Sequence, residues 1–259
     1  MRIATWNINS VRLRLSQVLR VLEEYDFDVL CLQETKTRDV SFPANEIAEA
    51  GWPYQAIRGE KSYNGVAILS RFPIEKKSYQ DWVGKRDCRH IAAQIKGINI
   101  HNIYLPAGGD IPDRDENIKF GHKLDFVSEV TEYFEQNKPA KSVLVGDLNI
   151  APLAEDVWST NQLRNVVSHT DIERVNLIAM QERGGWVDAV RDFFGADERL
   201  YSWWSYRARD YISSNRGRRL DHVWTTTDLA PQIQKVEIHT NTRGWKQPSD
   251  HVPISLQLG

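Results

Sequence analysis

Lys141-Ser142-Val143-Leu144-Val145-Gly146-Asp147-Leu148-Asn149 is the stretch on which the reading of this chain turns. Ser142 to Val145 is a short Val-rich run of the kind that forms a buried strand. Gly146 permits a bend or a close approach by another backbone. Asp147 and Asn149 are two residues apart, so on an extended backbone they face the same side. A core strand thus delivers a carboxylate and an amide to one point. Gly, Asp and Asn also close strands as ordinary turn residues, so this segment alone does not separate a site from a turn.

Working outward, Pro112 to Gln136 places Phe120, Leu124, Val127, Val130 and Phe134 at helical spacing and leads into the strand. At the start of the chain, Arg2 to Asn9 reads as a strand and Val11 to Tyr25 as an amphipathic helix carrying Leu15, Val18, Leu19 and Leu22. Asp28 to Gln33 reads as a buried strand closed by Glu34. Strand, helix, strand is the opening of an α/β layer structure. Phe42 to Ala50 is a short helix. Tyr54 to Ile57, Gly65 to Leu69, Arg89 to Ile95 and Ile98 to Leu105 follow as closely spaced strands, which suggests a sheet with antiparallel parts. Asp171 to Gln181 reads as a helix and Trp186 to Phe194 as a turn and short helix. Leu220 to Thr225, Ile233 to His239 and Val252 to Leu258 read as strands. No linker, low-complexity tract or repeat divides the sequence, so one domain over residues 1–259 is expected, with two packed sheets and helices outside.

The totals narrow the function. The 259 residues suffice for a sizeable core, and 41% hydrophobic with 26% charged residues is the balance of a globular protein. A net charge of −2 is not the basic footprint of a general nucleic-acid binder. A polyanionic partner would have to meet local basic patches or a metal cation. Cys31 lies in an apolar run and Cys88 between charged residues, which is no disulfide framework. The first residues carry no apolar signal region and no run is long enough to span a membrane, so a cytoplasmic protein is expected. The sequence contains no CxxC, HExxH, G-x-x-x-x-G-K-[ST] or G-x-S-x-G, which sets aside the corresponding zinc, nucleotide and serine-hydrolase sites.

Asn7, Glu34, Tyr104, Asp147, Asn149, Asp221 and the pair Asp250-His251 each stand at or just beyond the end of an apolar strand. Singly, each is an ordinary cap or turn residue. Together they can gather at one sheet edge, and their hard oxygen donors suit Mg²⁺ or Mn²⁺.

Trp6-Asn7-Ile8-Asn9, Leu32-Gln33-Glu34-Thr35-Lys36, Gly146-Asp147-Leu148-Asn149-Ile150-Ala151-Pro152, Arg219-Leu220-Asp221 and Ser249-Asp250-His251-Val252-Pro253-Ile254 occur in this order. Over essentially the whole chain this pattern resembles the exonuclease III family of apurinic/apyrimidinic endonucleases, within the endonuclease/exonuclease/phosphatase superfamily. The resemblance implies a four-layered α/β sandwich with two mixed sheets and one active site at their edge. It implies a Mg²⁺-dependent DNA repair phosphodiesterase that cleaves 5′ to abasic sites and trims 3′ ends of duplex DNA, acting as a monomer. It implies a metal site of Asn7, Glu34, Asp147, Asn149, Asp250 and His251, in which Glu34 is the main ligand, supported by Asn7 and Asp250. Asp147 would orient or deprotonate the attacking water, Asn149 would hold Asp147 and the phosphate, and Asp221 would orient His251. His251 would donate a hydrogen bond to the phosphate, and Tyr104 would stand near the leaving side. Ala107 departs from the Asn that many relatives have after the Pro.

Arg207, Arg209, Arg216, Arg218 and Arg219 cluster just after Tyr201-Ser202-Trp203-Trp204-Ser205-Tyr206, offering phosphate forks beside stacking faces. The resemblance assigns this segment to a pocket for a flipped-out abasic sugar, with Trp203 and Leu220 at pocket positions, and Arg207 and Arg218 as further DNA contacts. Arg218 stands where some relatives have an aromatic residue. Lys61, Lys85, Arg86, Arg243 and Lys246 are further phosphate candidates. The competing readings are a non-catalytic nucleic-acid-binding regulator on the same fold, a phospholipid, inositol phosphate or nucleotide phosphatase of the superfamily, and a secreted nuclease. Retention of the whole polar set, the aromatic and arginine segment, and the absence of a signal region argue against them in turn.

Overall fold

The computed structural model describes residues 1–207 and 210–259. In chain order the strands are β1 Arg2–Asn7, β2 Val29–Gln33, β3 Tyr54–Arg58, β4 Val66–Ser70, β5 Lys76–Ser78, β6 His90–Ile95 and β7 Ile98–Tyr104. They continue as β8 Ser142–Asp147, β9 Trp186–Asp188, β10 Trp203–Trp204, β11 Gly217–Arg218, β12 Asp221–Thr226, β13 Ile233–Ile238 and β14 Ile254–Leu258. Two sheets of six strands result, ordered β13-β14-β1-β2-β4-β3 and β5-β6-β7-β8-β12-β9, with β10 and β11 forming a separate ribbon. The pairs β1·β2 and β7·β8 are parallel, each joined through a helix, and the other sheet neighbours are antiparallel.

The period of two along each strand sorts side chains into layers. Ile3, Val29, Cys31 and Ile68 of the first sheet pack against Ile100, Val143, Val145 and Val223 of the second. The alternate residues Ala4, Trp6, Leu30 and Leu32 point outward onto Val18, Val21 and Leu22 of the helix Leu15–Tyr25. Ile103 and Leu144 face Phe126 and Val130 of the helix Ile118–Gln136 and Leu177 and Met180 of the helix Asp171–Gly184. Helix, sheet, sheet, helix is the expected four-layered α/β sandwich. Cys31 is the expected core thiol, fully buried. Among the described residues no helix is long and apolar enough to cross a membrane.

Two helices start later than the hydrophobic spacing predicts. Val11 to Arg14 is a turn wound around Arg14, whose guanidinium donates to the carbonyls of Ile8, Asn9 and Gln247, so the first helix begins at Leu15. Asn117 caps the second by accepting from the Lys119 N–H, while its amide donates to the Gly108 and Ile111 carbonyls. The helix therefore begins at Ile118 rather than near Pro112. The edge strand β5 is short and exposed and lacked an apolar pattern. Gly146 sits inside β8 at φ 145°, where a Cβ would lie 1.8 Å from the Ile103 carbonyl oxygen. Its role is the close backbone approach that its position suggested.

Two buried polar arrangements fix where the strand ends sit. Asn102 on β7 reaches across the sheet interface and donates to the carbonyls of Leu32 and Ala67 at 3.0 and 2.9 Å. Its own oxygen accepts from Gln33 Nε2 at 2.7 Å, and Gln33 also donates to Thr5 Oγ1 at 2.9 Å. On the other side, Lys123 and Glu173 form a fully buried ion pair at 2.5 Å between two outer helices. Lys123 Nζ also donates to the Asn149 carbonyl at 2.8 Å and the Ala107 carbonyl at 3.3 Å. Glu173 accepts from the backbone N–H groups of Ser168 and Thr170 and from the Thr170 hydroxyl.

Asn102→Ala leaves the Gln33 amide and the carbonyls it served with fewer partners in a dry interface, and is expected to lower unfolding free energy by about 2–4 kcal/mol. Lys123→Met leaves Glu173 without a counter-ion and is expected to cost about 3–5 kcal/mol. Guanidinium titration of each variant measures both. A change below 1 kcal/mol in either would show that the arrangement does not hold the layers together.

Candidate active site

Topology gathers the polar residues. Because β1 and β2 run parallel, Asn7 at the end of β1 and Glu34 just past β2 reach the same edge. β7 and β8 do the same for Tyr104 and Asp147 in the second sheet. β12 runs antiparallel to β8, so its first residue, Asp221, is in register with Asp147. β14 runs antiparallel to β1, so Asp250 and His251, which precede it, arrive at that edge as well. Parallel strands contribute their C-terminal ends and antiparallel ones their N-terminal ends.

The side chains meet in a continuous network. Asn7 Nδ2 donates to Glu34 Oε1 at 2.9 Å and, across the sheet interface, to Asp147 Oδ2 at 2.8 Å. The Tyr104 hydroxyl donates to Glu34 Oε1 at 2.8 Å. Asn149 donates its backbone N–H to Asp147 Oδ1 at 2.9 Å and its amide to Asp147 Oδ2 at 3.2 Å and the Leu105 carbonyl at 2.8 Å. His251 Nδ1 lies 2.8 Å from Asp221 Oδ2, and its Nε2 lies 3.7 Å from Asp147 Oδ2. The Asp250 carboxylate accepts from Trp203 Nε1 at 3.0 Å and Asn9 Nδ2 at 3.1 Å.

Sequence reasoning missed Asn9 and Lys36. Lys36 Nζ lies 2.7 Å from Glu34 Oε2 and donates to Asn9 Oδ1 at 2.6 Å, which links Glu34 to Asp250. Both stand two residues beyond a predicted site residue, the same spacing that singled out Asp147 and Asn149. Glu34, Lys36, Asn9 and Asn149 all hold left-handed backbone, at φ 51°, 51°, 47° and 52°. Such conformations cost of order 1–3 kcal/mol for a residue with a Cβ, and least for Asn.

The charges are set by opposing influences. Burial would raise the Glu34 pKa, but the Lys36 ammonium, the Asn7 amide and the Tyr104 hydroxyl outweigh it and hold the carboxyl ionised. Asp250 is lowered in the same way, with burial overcome by His251, Trp203 and Asn9. Burial dominates at Asp147 and raises its pKa, with Asp221 and Glu34 pushing the same way against His251 and Asn7. His251 is raised because the carboxylates of Asp221 and Asp147 overcome the burial that would lower it. Two carboxylates therefore flank the imidazole and favour its protonated form. Asp147, Asp221 and His251 place ligand atoms within 4.8 Å of one another. The ionised oxygens of Glu34 and Asp250 are the better donors for a hard cation, and the Lys36 ammonium against Glu34 shows that this carboxylate draws positive charge. Asn7 joins the set as an amide bridging two carboxylates. Asp221 Oδ1 is buried without a partner among the described residues, an acceptor left over at the heart of the site.

The network opens into a cleft of about 1070 Å³ whose far wall is formed by Trp158, Val167, Ser168, Trp203, Arg207, Arg216, Arg218 and Leu220. Trp203 and Leu220 line this cleft. Arg218 lies with its guanidinium 5.3 Å from the Trp203 ring centroid and Arg216 lies 4.7 Å from that of Trp158. Arg207 is exposed at the rim. Two arginines differ from expectation. Arg219, in the connection between β11 and β12, is fully buried and paired with Asp156 and Asp188 instead of facing the cleft. Arg243 is buried over Tyr206 and Tyr211 and donates to the Trp204 carbonyl. Lys61, Lys85, Arg86 and Lys246 are exposed and stand outside the cleft lining. Arg209 lies outside the described residues.

The Endonuclease/Exonuclease/phosphatase family model matches residues 4–251. An exodeoxyribonuclease of Bacillus subtilis is 30% identical over 99% of this chain and 98% of its own length. An AP endonuclease from Archaeoglobus fulgidus superposes with a TM-score of 0.93 at 32% identity, covering 100% of this chain and 99% of its own. The 3′ phosphatase NExo from Neisseria, bound to a product DNA hairpin, superposes at 0.92 with 29% identity and the same coverage. With a family match that spans nearly every residue and a site that gathers at the shared sheet edge, the chain belongs to the Endonuclease/Exonuclease/phosphatase family.

Proposed function

We propose that this chain is a DNA repair nuclease, a phosphodiester hydrolase that cleaves duplex DNA 5′ to abasic sites and removes nucleotides or blocking groups from 3′ ends in a Mg²⁺-dependent manner. The observation that carries the reading is the Asp147 carboxylate, held by Asn7 and Asn149 beside the Asp221-His251 pair, with a second anionic group at Glu34. Exodeoxyribonuclease and AP endonuclease relatives over the full length support the substrate class.

Each residue has a task that suits its surroundings. Asp147 has a raised pKa and three donors fixing its orientation, which suits a group that aligns a water and takes its proton. His251, cationic between two acids, can give a hydrogen bond to a phosphoryl oxygen as negative charge grows there. Asp221 holds the imidazole by Nδ1, which leaves Nε2 directed toward the Asp147 side of the site. Asn149 orients Asp147 through its backbone N–H and its amide, which the Leu105 carbonyl holds in place. The Tyr104 hydroxyl, its pKa raised by burial and by Glu34, stays protonated and can donate to a departing oxygen. Glu34 and Asp250, assisted by Asn7, would hold the divalent cation, which when bound offsets the charge of the phosphodiester. The cleft beyond them, walled by Trp203 and Leu220, would receive the sugar on the 3′ side of the cleaved bond.

Asp147→Asn and His251→Ala are each expected to retain the fold and DNA binding and to lose about 10²–10⁴-fold in turnover. A 5′-labelled duplex with an abasic-site analogue and the same duplex without it measure this. The wild type should incise the first at the analogue and shorten the second from its 3′ ends, and near-wild-type turnover by either variant overturns the assignment. Chelation with EDTA should stop both reactions and added Mg²⁺ restore them, while cutting that persists in chelator overturns the metal requirement. Binding of both duplexes with no cutting under any condition would mark a nucleic-acid-binding protein instead.

A further inference from the structure

Val157, Arg218, Trp203 and His251 lie side by side across the cleft. Trp203 is in register with Arg218 on the β10·β11 ribbon and bridges to His251 on its other side, while Arg218 bridges to Val157. Two strand spacings of about 5 Å each put the Arg218 backbone roughly 10 Å from that of His251. Arg218 is fastened by Nη1, which donates to the Val167 carbonyl at 3.1 Å and the Ser168 hydroxyl at 2.7 Å, and by the Trp203 face. All three holders are uncharged.

Among the described residues Nε and Nη2 of Arg218 have no acceptor, and the residue forms no ion pair. Its neighbour in sequence, Arg219, has two carboxylates. The carboxylate that reaches Arg218 electrostatically is Glu173, but that group is already matched by Lys123 and by three further donors, the Ser168 N–H, the Thr170 N–H and the Thr170 hydroxyl. A half-buried guanidinium in a cleft wall, fixed on one edge and lacking a counter-ion, is a place for an anion brought by the ligand, since partial burial of an unmatched charge is costly until the anion arrives.

We propose that Arg218 forms an anion subsite one position beyond the reacting phosphate, and that it selects 3′ termini whose departing group carries its own negative charge, such as a carboxylate or a phosphate monoester. The proposal rests on the nuclease reading above. The position of Arg218 favours a terminal group over a backbone phosphate further along the strand. Arg218 is half-buried inside the cleft, whereas Arg207 and Arg216 are exposed at its rim, where a continuing backbone would run. The fork geometry of the guanidinium, with Nε and Nη2 on one edge, suits the two oxygens of a carboxylate or phosphate.

The test is equilibrium binding in EDTA, so that nothing is cleaved. Two gapped duplexes carry a 3′-phosphoryl end esterified either with glycolate, which is anionic, or with ethylene glycol, which is neutral and of similar size. A second pair continues the strand past a neutral abasic analogue, with either a phosphodiester or a methylphosphonate as the next linkage. The wild type should bind the glycolate end at least ~10-fold more tightly than the neutral end, the size of one charge-assisted hydrogen bond. In Arg218→Met that ratio should fall to about one, whatever happens to the separate affinities, and Arg218→Lys should keep part of it. A merely structural role would lower both affinities and preserve the ratio, which overturns the proposal, as does equal wild-type affinity for the two ends. Discrimination confined to the second pair assigns Arg218 to a backbone phosphate and overturns it too. Failure of the wild type to bind any of the duplexes overturns the nuclease reading itself.

Discussion

The bond from Asn102 across the sheet interface is the constraint on which the site depends. Apolar contact between two sheets is non-directional, so the packing of Val, Ile and Leu specifies that the sheets meet but only loosely specifies their offset. Asn102 and Gln33 restrict that freedom, because both amide nitrogens and the Asn102 oxygen find their partners in this alignment. Gln33 is the residue before Glu34, and Asn102 lies two residues before Tyr104. The alignment that pairs these amide donors is therefore the one that brings the Tyr104 hydroxyl to Glu34 and Asn7 to Asp147. A polar pair in the dry interior thus transmits register to the chemistry at the edge.

The sequence made the sandwich and the seven strand-end placements legible because they rest on local periodicity. A Val-rich run reports a strand, and the polar residue that follows reports where the strand leaves the core. What escaped were partners supplied from a distance. Lys36 and Asn9 earn their place only through contacts between separate strand ends, and Lys123 and Glu173 lie 50 residues apart on two helices. The ribbon of β10 and β11 is two residues long on each side and leaves no period to read. Arg218 and Arg219 illustrate the limit best. In sequence they are adjacent members of one basic cluster, and in space one lines the cleft while the other is a core ion-pair residue. β11 ends at Arg218 and Arg219 already belongs to the connection toward β12, where Asp156 and Asp188 supplied from distant segments hold it, and no local period announces that.

The site also concentrates cost. Four residues in left-handed backbone, several buried carboxylates and an imidazolium all lie within one network. None of these would be retained by a chain selected for stability alone. They are tolerated because each strained or charged group is fixed by more than one partner. The Lys123–Glu173 pair extends the same logic outward, since one ammonium carries both the Asn149 carbonyl and the carboxylate that organises the loop under Arg218.

The contributors to the site span the chain from Asn7 to His251, and the Trp6 indole donates to the carbonyl of His251 itself, 245 residues away. Contacts of that separation form late, because the intervening chain must lose its freedom before they return anything. During synthesis the strand ends of the first sheet emerge without the β14 side of the edge, and no fragment that stops before Asp250 carries the full set. The hydrolytic centre therefore comes into being only with the finished fold: a nascent or damaged copy cannot hold a working nuclease, and the strand order itself acts as a proof of completeness.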